Sequence, residues 1–143
     1  MEKALAVLRD LQHRFPEIQV GGSVGLWLHG IRLKRFGQKS CDLDLTSPKE
    51  IRISDKQHPC SFDDFDYSFE VNGVTVDLSI NEEIQPPVKI ELDGYVYNVT
   101  RLPYILHRKS NYALKGVLKH VTDIYEMCGL TCIEEPDSFD LPF

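Results

Sequence analysis

Several features that mark particular protein classes are missing from this sequence. No apolar run approaches the roughly 20 residues that a helix needs to cross a bilayer, so a transmembrane segment is not expected. Charges at Glu2, Lys3, Arg9 and Asp10 do not suit the apolar region of a signal peptide. Internal repeats, low-complexity stretches and linker-like segments are also missing. We therefore expect a cytoplasmic protein with no membrane partner.

Cysteine is sparse, and its spacing matches no common metal motif. The four cysteines are Cys41, Cys60, Cys128 and Cys132, and only the last two lie close together. A structural zinc site usually needs two closely spaced pairs of ligands, and a disulfide framework belongs to an oxidising compartment. We therefore expect reduced and mostly buried thiols.

Positive charge is outnumbered in the sequence. The chain has 16 lysines and arginines against 22 aspartates and glutamates, which gives a formal net charge of −6. This balance favours solubility and argues against broad, non-specific binding of nucleic acid, although it leaves a local basic patch open. The length of 143 residues and the hydrophobic share of 42% are ordinary for one globular domain. We therefore expect a single domain over 1–143.

Hydrophobic periodicity predicts both helices and strands. Two Gly-containing dipeptides, Asn72-Gly73 and Asp93-Gly94, separate alternating runs and are typical of type I′ hairpin turns. Strands bracketed by helices favour an α+β fold with helices packed on a sheet. The predicted strands are 18–20, 41–46, 65–71, 74–80, 88–92 and 95–99. The predicted helices are 3–14, 24–29, 103–114 and 117–127, so C-terminal helices fill about 103–128, and an irregular tail follows over 129–143.

Aspartates on the predicted strands are the strongest candidates for chemistry. In the strand 41–46, Asp42 and Asp44 alternate with apolar residues and share one face. Asp77 alternates in the same way in 74–80 and joins them if the two strands are neighbours. Carboxylates at this spacing can converge on one or two hard cations. The alternative is that all three are ordinary residues of a solvated face, although aspartate is depleted in strands.

Gly21-Gly22-Ser23 lies between a predicted strand and a predicted helix. Glycines allow a phosphate to approach the backbone closely, and the Ser23 hydroxyl could donate to a phosphate oxygen. The alternative is a tight turn in which Ser23 caps the helix. The basic segment that follows contains Lys34, Arg35 and Lys39, which could bind a triphosphate or an acceptor, or could form a solvated loop.

Two lysines near the C-terminus are further candidates for nucleotide binding. Lys115 and Lys119 are four residues apart and share a face if the helix is continuous, but Gly116 could interrupt it. A lysine here could contact a γ-phosphate. The alternative is that Lys119 forms an ordinary surface pair with Asp123.

Taken together, three motifs resemble the signature of the DNA polymerase β-type nucleotidyltransferase superfamily. They are Val20-Gly21-Gly22-Ser23, Asp42-Leu43-Asp44-Leu45 and Val76-Asp77-Leu78. The segment with Lys109, Lys115 and 119–124 is similar to the lysine-rich C-terminal helices of AbiE-type toxins and other minimal nucleotidyltransferases. The gap between Gly22 and Asp42 is longer than this family usually shows, with the extra residues around 33–39.

The resemblance implies both a fold and a reaction. The fold would be a mixed, mostly antiparallel sheet flanked by helices. Asp42 and Asp44 would hold Mg²⁺ on the triphosphate of an NTP, and Asp77 would help to bind a second ion near the acceptor hydroxyl, with Mn²⁺ as a substitute. Gly22 and Ser23 would hold the β and γ phosphates. The enzyme would move an NMP to an acceptor.

The resemblance leaves the acceptor and the activity open. Acceptors in the superfamily include RNA ends, protein hydroxyls and small molecules. Toxin–antitoxin systems are one setting, in which an antitoxin-like partner or a homodimer would complete the enzyme. The alternative within the same fold is a catalytically silent module that binds a nucleotide or a partner.

Overall fold

A computed structural model describes residues 1–37, 41–60 and 65–131 of the chain. Their helices are α1 (Glu2–Arg14), α2 (Gly22–Leu28), α3 (Leu102–Leu114) and α4 (Leu118–Thr131), with a short 3₁₀ helix at Lys34–Gly37. Their strands are β1 (Gln19–Gly21), β2 (Leu43–Ser47), β3 (His58–Pro59), β4 (Tyr67–Val71), β5 (Val74–Ile80), β6 (Val88–Leu92) and β7 (Tyr95–Val99).

The strands of the described residues form one mixed sheet in the order β3-β4-β5-β2-β1-β7-β6. Strand β2 runs parallel to β5, and β1 runs parallel to β7, whereas the other four pairings are antiparallel. The predicted α+β class, with a mixed and mostly antiparallel sheet and helices, is confirmed. The two parallel pairings bring strands from distant parts of the chain to the middle of the sheet.

Both predicted hairpins form with the predicted bounds for β5, β6 and β7. The turn residues Asn72 and Gly73 have φ values of 48° and 80°, and Asp93 and Gly94 have φ values of 51° and 81°. Positive φ at both central positions is the requirement of a type I′ turn, so this prediction is confirmed. These turns also fix the register of β4 on β5 and of β6 on β7.

The hydrophobic core lies between α1 and one face of the sheet. In α1, Leu5, Leu8 and Leu11 are buried at helical spacing, as the sequence predicts. The facing strands contribute alternate residues, such as Val20, Leu45 and Leu78, which lie side by side in register and are fully buried. Alternation therefore places the residues between them, including the predicted site, on the opposite face of the sheet.

The structure differs from the sequence predictions at several places. Strand β1 covers Gln19–Gly21 rather than 18–20, β4 begins at Tyr67 rather than at residue 65, and α2 covers Gly22–Leu28 rather than 24–29. Strand β2 begins at Leu43 rather than at residue 41 and continues through Ser47, because its pairing with β5 runs from Leu43 to Ser47. The short edge strand β3 was not predicted. Helix α4 continues to Thr131, so residues 129–131 of the predicted irregular tail are helical. The rest of that tail lies outside the described residues.

The chain divides into two compact units. The first comprises Met1–Leu106 and contains the whole sheet, and the second begins at His107. The prediction of one domain over 1–143 stays a prediction. Among the described residues, none of the helices has the length and apolar character needed to span a membrane.

Candidate active site

A row of small and polar residues crosses the face of the sheet opposite α1. Gly21 lies opposite Asp44, Asp44 lies beside Asp77, and Asp77 lies opposite Ser68. His58 continues the row at the edge of the sheet, opposite Ser68. Residues in register on neighbouring strands point to the same face, so the row forms a continuous strip across β1, β2, β5, β4 and β3.

Asp44 and Asp77 are the centre of this row. They are register partners on parallel strands, which places their α-carbons about 4.8 Å apart. Both residues are half-buried. Two carboxylates held side by side repel each other unless positive charge is supplied, and carboxylate oxygens are the ligands that Mg²⁺ prefers. The fold therefore brings together two of the three predicted acidic residues.

Gly22 packs directly against the Asp44 carboxylate. A Cβ atom at Gly22 would lie only 2.7 Å from Asp44 Cγ, closer than any real contact of this kind. Gly22 also has a φ of +59°, a conformation that costs other L-residues energy. Strand β1 ends and α2 begins at this point, so the glycine allows both the turn and the close approach of the carboxylate. This part of the predicted motif has a clear physical basis.

Ser68 orients Asp77 and was not predicted as a site residue. Its Oγ donates a 2.8 Å hydrogen bond to Asp77 Oδ1. The signal was present in the sequence, because a two-residue turn at Asn72-Gly73 pairs Val71 with Val74 and hence Ser68 with Asp77. The hydrogen bond therefore sets the orientation of the Asp77 carboxylate from the neighbouring strand.

Asp42 differs from the other two predicted acids. It precedes β2, has no register partner in the described sheet and is exposed. In the described parts of the chain, no three His, Cys, Asp or Glu side chains are grouped to hold a metal ion. Mg²⁺ commonly takes one or two protein carboxylates and completes its shell with phosphate oxygens and water, so Asp44 and Asp77 are a suitable donor set. The metal role of Asp42 stays a prediction.

The basic segment reaches Ser23 through one arginine. Arg35 Nη2 donates a 3.3 Å hydrogen bond to Ser23 Oγ, and its guanidinium also lies 5.0 Å from the centre of the Phe36 ring. Lys34 begins the 3₁₀ helix Lys34–Gly37 that carries Arg35. The third predicted cation of this segment, Lys39, lies outside the described residues. Ser23 and Arg35 thus come together beside the turn at Gly22.

The two C-terminal lysines do not share a helix face. Gly116, with a φ of +85°, separates α3 from α4, so Lys115 and Lys119 lie on either side of a break. Both are exposed, and the Lys115 ammonium lies 5.7 Å from the centre of the Tyr112 ring. The pairing that the sequence favoured for Asp123 is wrong: Asp123 is 1% exposed and pairs with Lys109 at 2.7 Å. The role of Lys115 and Lys119 in nucleotide binding stays a prediction.

The described cysteines are free thiols with different exposure. Cys41 is buried and donates to the Phe36 carbonyl over 3.6 Å, whereas Cys60 is half-buried and Cys128 is exposed. Burial raises the pKa of the Cys41 thiol, which disfavours its thiolate form. The Cys41 thiol therefore connects the residue at the approach to β2 with the 3₁₀ helix through the Phe36 carbonyl.

Known proteins give no independent assignment of this site. Neither family models, nor curated protein sequences, nor solved structures give a significant match to the chain. A function for this chain therefore rests on the site residues themselves. Their arrangement offers paired carboxylates for a divalent cation, with a glycine turn, a serine and an arginine beside them.

Proposed function

We propose that this chain is a metal-dependent nucleotidyltransferase that moves an NMP from an NTP to an acceptor hydroxyl. The observation that carries the proposal is the parallel register of Asp44 and Asp77, with Gly22 packed against the Asp44 carboxylate. Nucleotidyl transfer depends on charge neutralisation and in-line positioning more than on covalent catalysis by the protein. A pair of carboxylates on neighbouring strands, with a glycine turn beside it, suits that requirement.

Asp44 and Asp77, joined by Asp42, are the residues that would hold Mg²⁺. When bound, the ion would neutralise charge on the triphosphate and lower the pKa of a coordinated hydroxyl. The Ser68 hydroxyl holds Asp77 in one orientation, so no side-chain rotation is needed on binding. Gly22 allows the Asp44 carboxylate to lie close to the backbone, and Ser23 and Arg35 offer a hydroxyl and a fixed positive charge to the phosphates.

The proposed reaction balances without a redox partner. The acceptor oxygen forms a new bond to the α-phosphorus, and the bond from that phosphorus to the bridging oxygen of the β-phosphate breaks. Pyrophosphate leaves with the electron pair of the broken bond. The proton of the acceptor hydroxyl passes to the Asp77 carboxylate, which then returns it to water.

The test is transfer of label from α-³²P-labelled NTPs, one base at a time, in Mg²⁺ or Mn²⁺. RNA ends, protein and small-molecule hydroxyls serve as separate acceptor pools. We expect release of pyrophosphate with incorporation in one pool, and a loss of about a hundredfold or more in the variants Asp44→Asn and Asp77→Asn. Asp93→Asn is the matched control, because Asp93 lies in an exposed turn where asparagine is equally suited. No incorporation with any base or pool, from a folded wild-type chain either purified or in a cell extract, would refute the enzymatic proposal.

A second candidate is a nucleotide-binding module of the same fold without turnover. The exposure of Asp42 outside β2 favours it, because only two carboxylates are then held rigidly by the described sheet. The same experiment separates the two candidates. Nucleotide-dependent stabilisation without incorporation in any pool indicates the module. If both Asp44→Asn and Asp77→Asn keep the metal affinity of the wild type, the two aspartates are instead ordinary residues of a solvated face.

The binding site for the acceptor would lie outside the described sheet. We propose that an antitoxin-like partner or a second copy of the chain contributes to acceptor binding. Incorporation assays with the purified chain, and with the chain in a cell extract, address this point. Activity that requires the extract would indicate the partner.

A further inference from the structure

Helix α4, in the second compact unit, presents apolar side chains to solvent along one face. Leu118 and Tyr125 are two helical turns apart and are 75% and 74% exposed. Thr122 and Gly129 lie on the same face at helical spacing and are also exposed. Leu114, the last residue of α3, is 86% exposed. We call these five residues the α4 surface. An exposed apolar stripe at helical spacing is typical of a contact surface.

The charge around the α4 surface is positive, although the chain as a whole is acidic. The exposed residues of the range 110–129 include Lys115 and Lys119 and no aspartate or glutamate. The two acids of that range, Asp123 and Glu126, are buried and half-buried respectively. Opposite charge around a contact surface favours one partner over others, so the α4 surface suits a segment that is both apolar and acidic.

The sequence that follows α4 has this complementary composition. Residues 133–143 read IEEPDSFDLPF and contain no lysine or arginine. Their acids are Glu134, Glu135, Asp137 and Asp140, and their apolar side chains, prolines apart, are Ile133, Phe139, Leu141 and Phe143. The two prolines, at 136 and 142, disfavour a helix and favour an extended chain before them. The segment therefore offers apolar and acidic groups on an extended backbone.

The length of this segment allows it to reach the α4 surface of its own chain. Leu118 and Thr131 are the ends of a 14-residue helix, so they lie about 20 Å apart. The residues from Cys132 to Phe139 span up to about 26 Å when extended. Phe139 can therefore lie beside Leu118 after the chain reverses its direction beyond Thr131.

We propose that residues 133–143 fold back along α4 of the same chain and dock on the α4 surface. Phe139 would then cover Leu118, and the acidic side chains would lie beside Lys115 and Lys119. Docking within one chain is favoured over docking on a second copy, because a short tether gives an effective concentration in the millimolar range. The inference goes beyond nucleotidyl transfer and does not depend on it.

The test is zero-length cross-linking of the full-length chain with a carbodiimide. This reagent joins a lysine to a carboxylate only when the two groups touch, and mass spectrometry of the digest identifies the pair. We expect a cross-link within one chain from Lys115 or Lys119 to an acid of 133–143. Its yield is expected to fall about threefold or more in Leu118→Ser and in Phe139→Ser, which remove apolar contact and keep every charge.

Val96→Ser is the matched control for the loss of an apolar side chain. Val96 is 47% exposed but lies on β7, outside the α4 surface, so its removal should leave the yield unchanged. A yield that is equal in all four proteins would reflect the tether alone and would overturn the inference. A cross-link that forms only between two chains and disappears on dilution would also overturn it, as would the absence of any cross-link from folded wild type.

Hydroxyl-radical labelling of Tyr125 provides a second readout that does not consume lysines. Docking shields Tyr125, so its labelling is expected to rise about twofold or more in Phe139→Ser and in Lys119→Glu. Lys119→Arg keeps the positive charge and should label like wild type. Phe139 lies outside α4, so its effect on Tyr125 reports the docked segment. Wild-type labelling in Phe139→Ser would overturn the inference even if Leu118→Ser failed to fold.

Discussion

At the residue scale, Gly22 links backbone conformation to the position of the Asp44 carboxylate. Its φ of +59° and its contact with the carboxylate are separate constraints, and both disfavour a side chain. For Gly22→Ala we expect the free energy of unfolding to fall by about 2 kcal/mol or more, since a left-handed conformation costs about 1–2 kcal/mol and the methyl group displaces Asp44. Urea denaturation and titration with Mg²⁺-NTP measure both effects.

The matched control for this prediction is Gly30→Ala. Gly30 also has positive φ, +93°, but no atom of the described residues lies within 4 Å of the position that a Cβ would take there. Gly30→Ala should therefore lose only the conformational part, about 1–2 kcal/mol, and should keep its nucleotide affinity. Equal losses of affinity in the two variants would show that the contact of Gly22 with Asp44 is irrelevant to binding.

Cys41 gives a second prediction at the residue scale, in the pH dependence of stability. Burial raises the pKa of its thiol above the ordinary value of 9.0. The folded chain then retains a proton that the unfolded chain has released, so this contribution is fully present below about pH 9 and is lost as pH rises through the folded pKa. We expect the free energy of unfolding to fall above about pH 9, and less steeply in Cys41→Ala.

Urea denaturation at about pH 7.5 and about pH 10 measures this difference in slope. Other groups titrate in the same range, but they are common to wild type and Cys41→Ala and cancel in the comparison. Cys128→Ala is the control for the loss of a thiol that is exposed rather than buried. Identical slopes in all three proteins would contradict the burial argument.

At the element scale, the hairpins show why local signals were sufficient for part of the fold. The turns at Asn72-Gly73 and Asp93-Gly94 require positive φ, and the flanking runs alternate, so the bounds of β5, β6 and β7 follow from short segments. The register of Ser68 on Asp77 follows from the same turn. These features depend on residues that are close in the sequence.

The remaining elements depend on contacts between distant segments. The pairing of β1 with β7 places Val20 beside Val99, and no local sequence pattern predicts this pairing. The position of β1 beside β7 therefore could not be predicted from the sequence. The predicted start of β2 was wrong for the same reason. The alternation of apolar and polar residues begins at Cys41, whereas the pairing of β2 with β5 begins only at Leu43. The aspartates could be predicted as candidates, but their neighbours across the sheet could not.

Helices α3 and α4 carry a prediction that belongs to the element scale. Lys109 on α3 and Asp123 on α4 form a 2.7 Å ion pair, with side-chain exposures of 4% and 2%. The Lys109 ammonium also lies 3.0 Å from His120 Nδ1. Removing one partner of a buried pair leaves a buried charge, so Lys109→Met should lower the free energy of unfolding by about 3–5 kcal/mol.

Three proteins test this prediction by chemical denaturation of the full-length chain. Lys119→Met is the control, because Lys119 is exposed on α4 and should change stability by no more than about 0.5 kcal/mol. The double variant Lys109→Met, Asp123→Leu removes both charges and should recover most of the loss. A single variant as stable as the control would show that the pair contributes nothing to the two helices.

At the scale of the whole molecule, the net charge of −6 bears on which acceptor the chain can bind by itself. Non-specific binding to nucleic acid depends on lysines and arginines that replace counterions on the phosphates, and it falls steeply with salt. An acidic protein lacks that contribution except where cations cluster locally. Among the described cations, Arg35 bonds Ser23 Oγ and Lys34 precedes it in the 3₁₀ helix, and we expect both to act on a triphosphate-sized ligand.

We therefore predict that the purified chain binds a tRNA-sized RNA with a Kd weaker than about 100 µM at about 0.15 M salt. Fluorescence anisotropy with labelled RNA measures this, and Mg²⁺-NTP titrated into the same sample shows that the protein is competent. The charge-reversal variant Lys34→Glu should then lower the affinity for NTP and leave the weak binding of RNA unchanged. The prediction would be contradicted by tight RNA binding whose affinity falls steeply as the salt concentration rises and which Lys34→Glu abolishes. Such binding would show that a local basic surface outweighs the net charge, and it would make an RNA end the first acceptor to test without a partner protein.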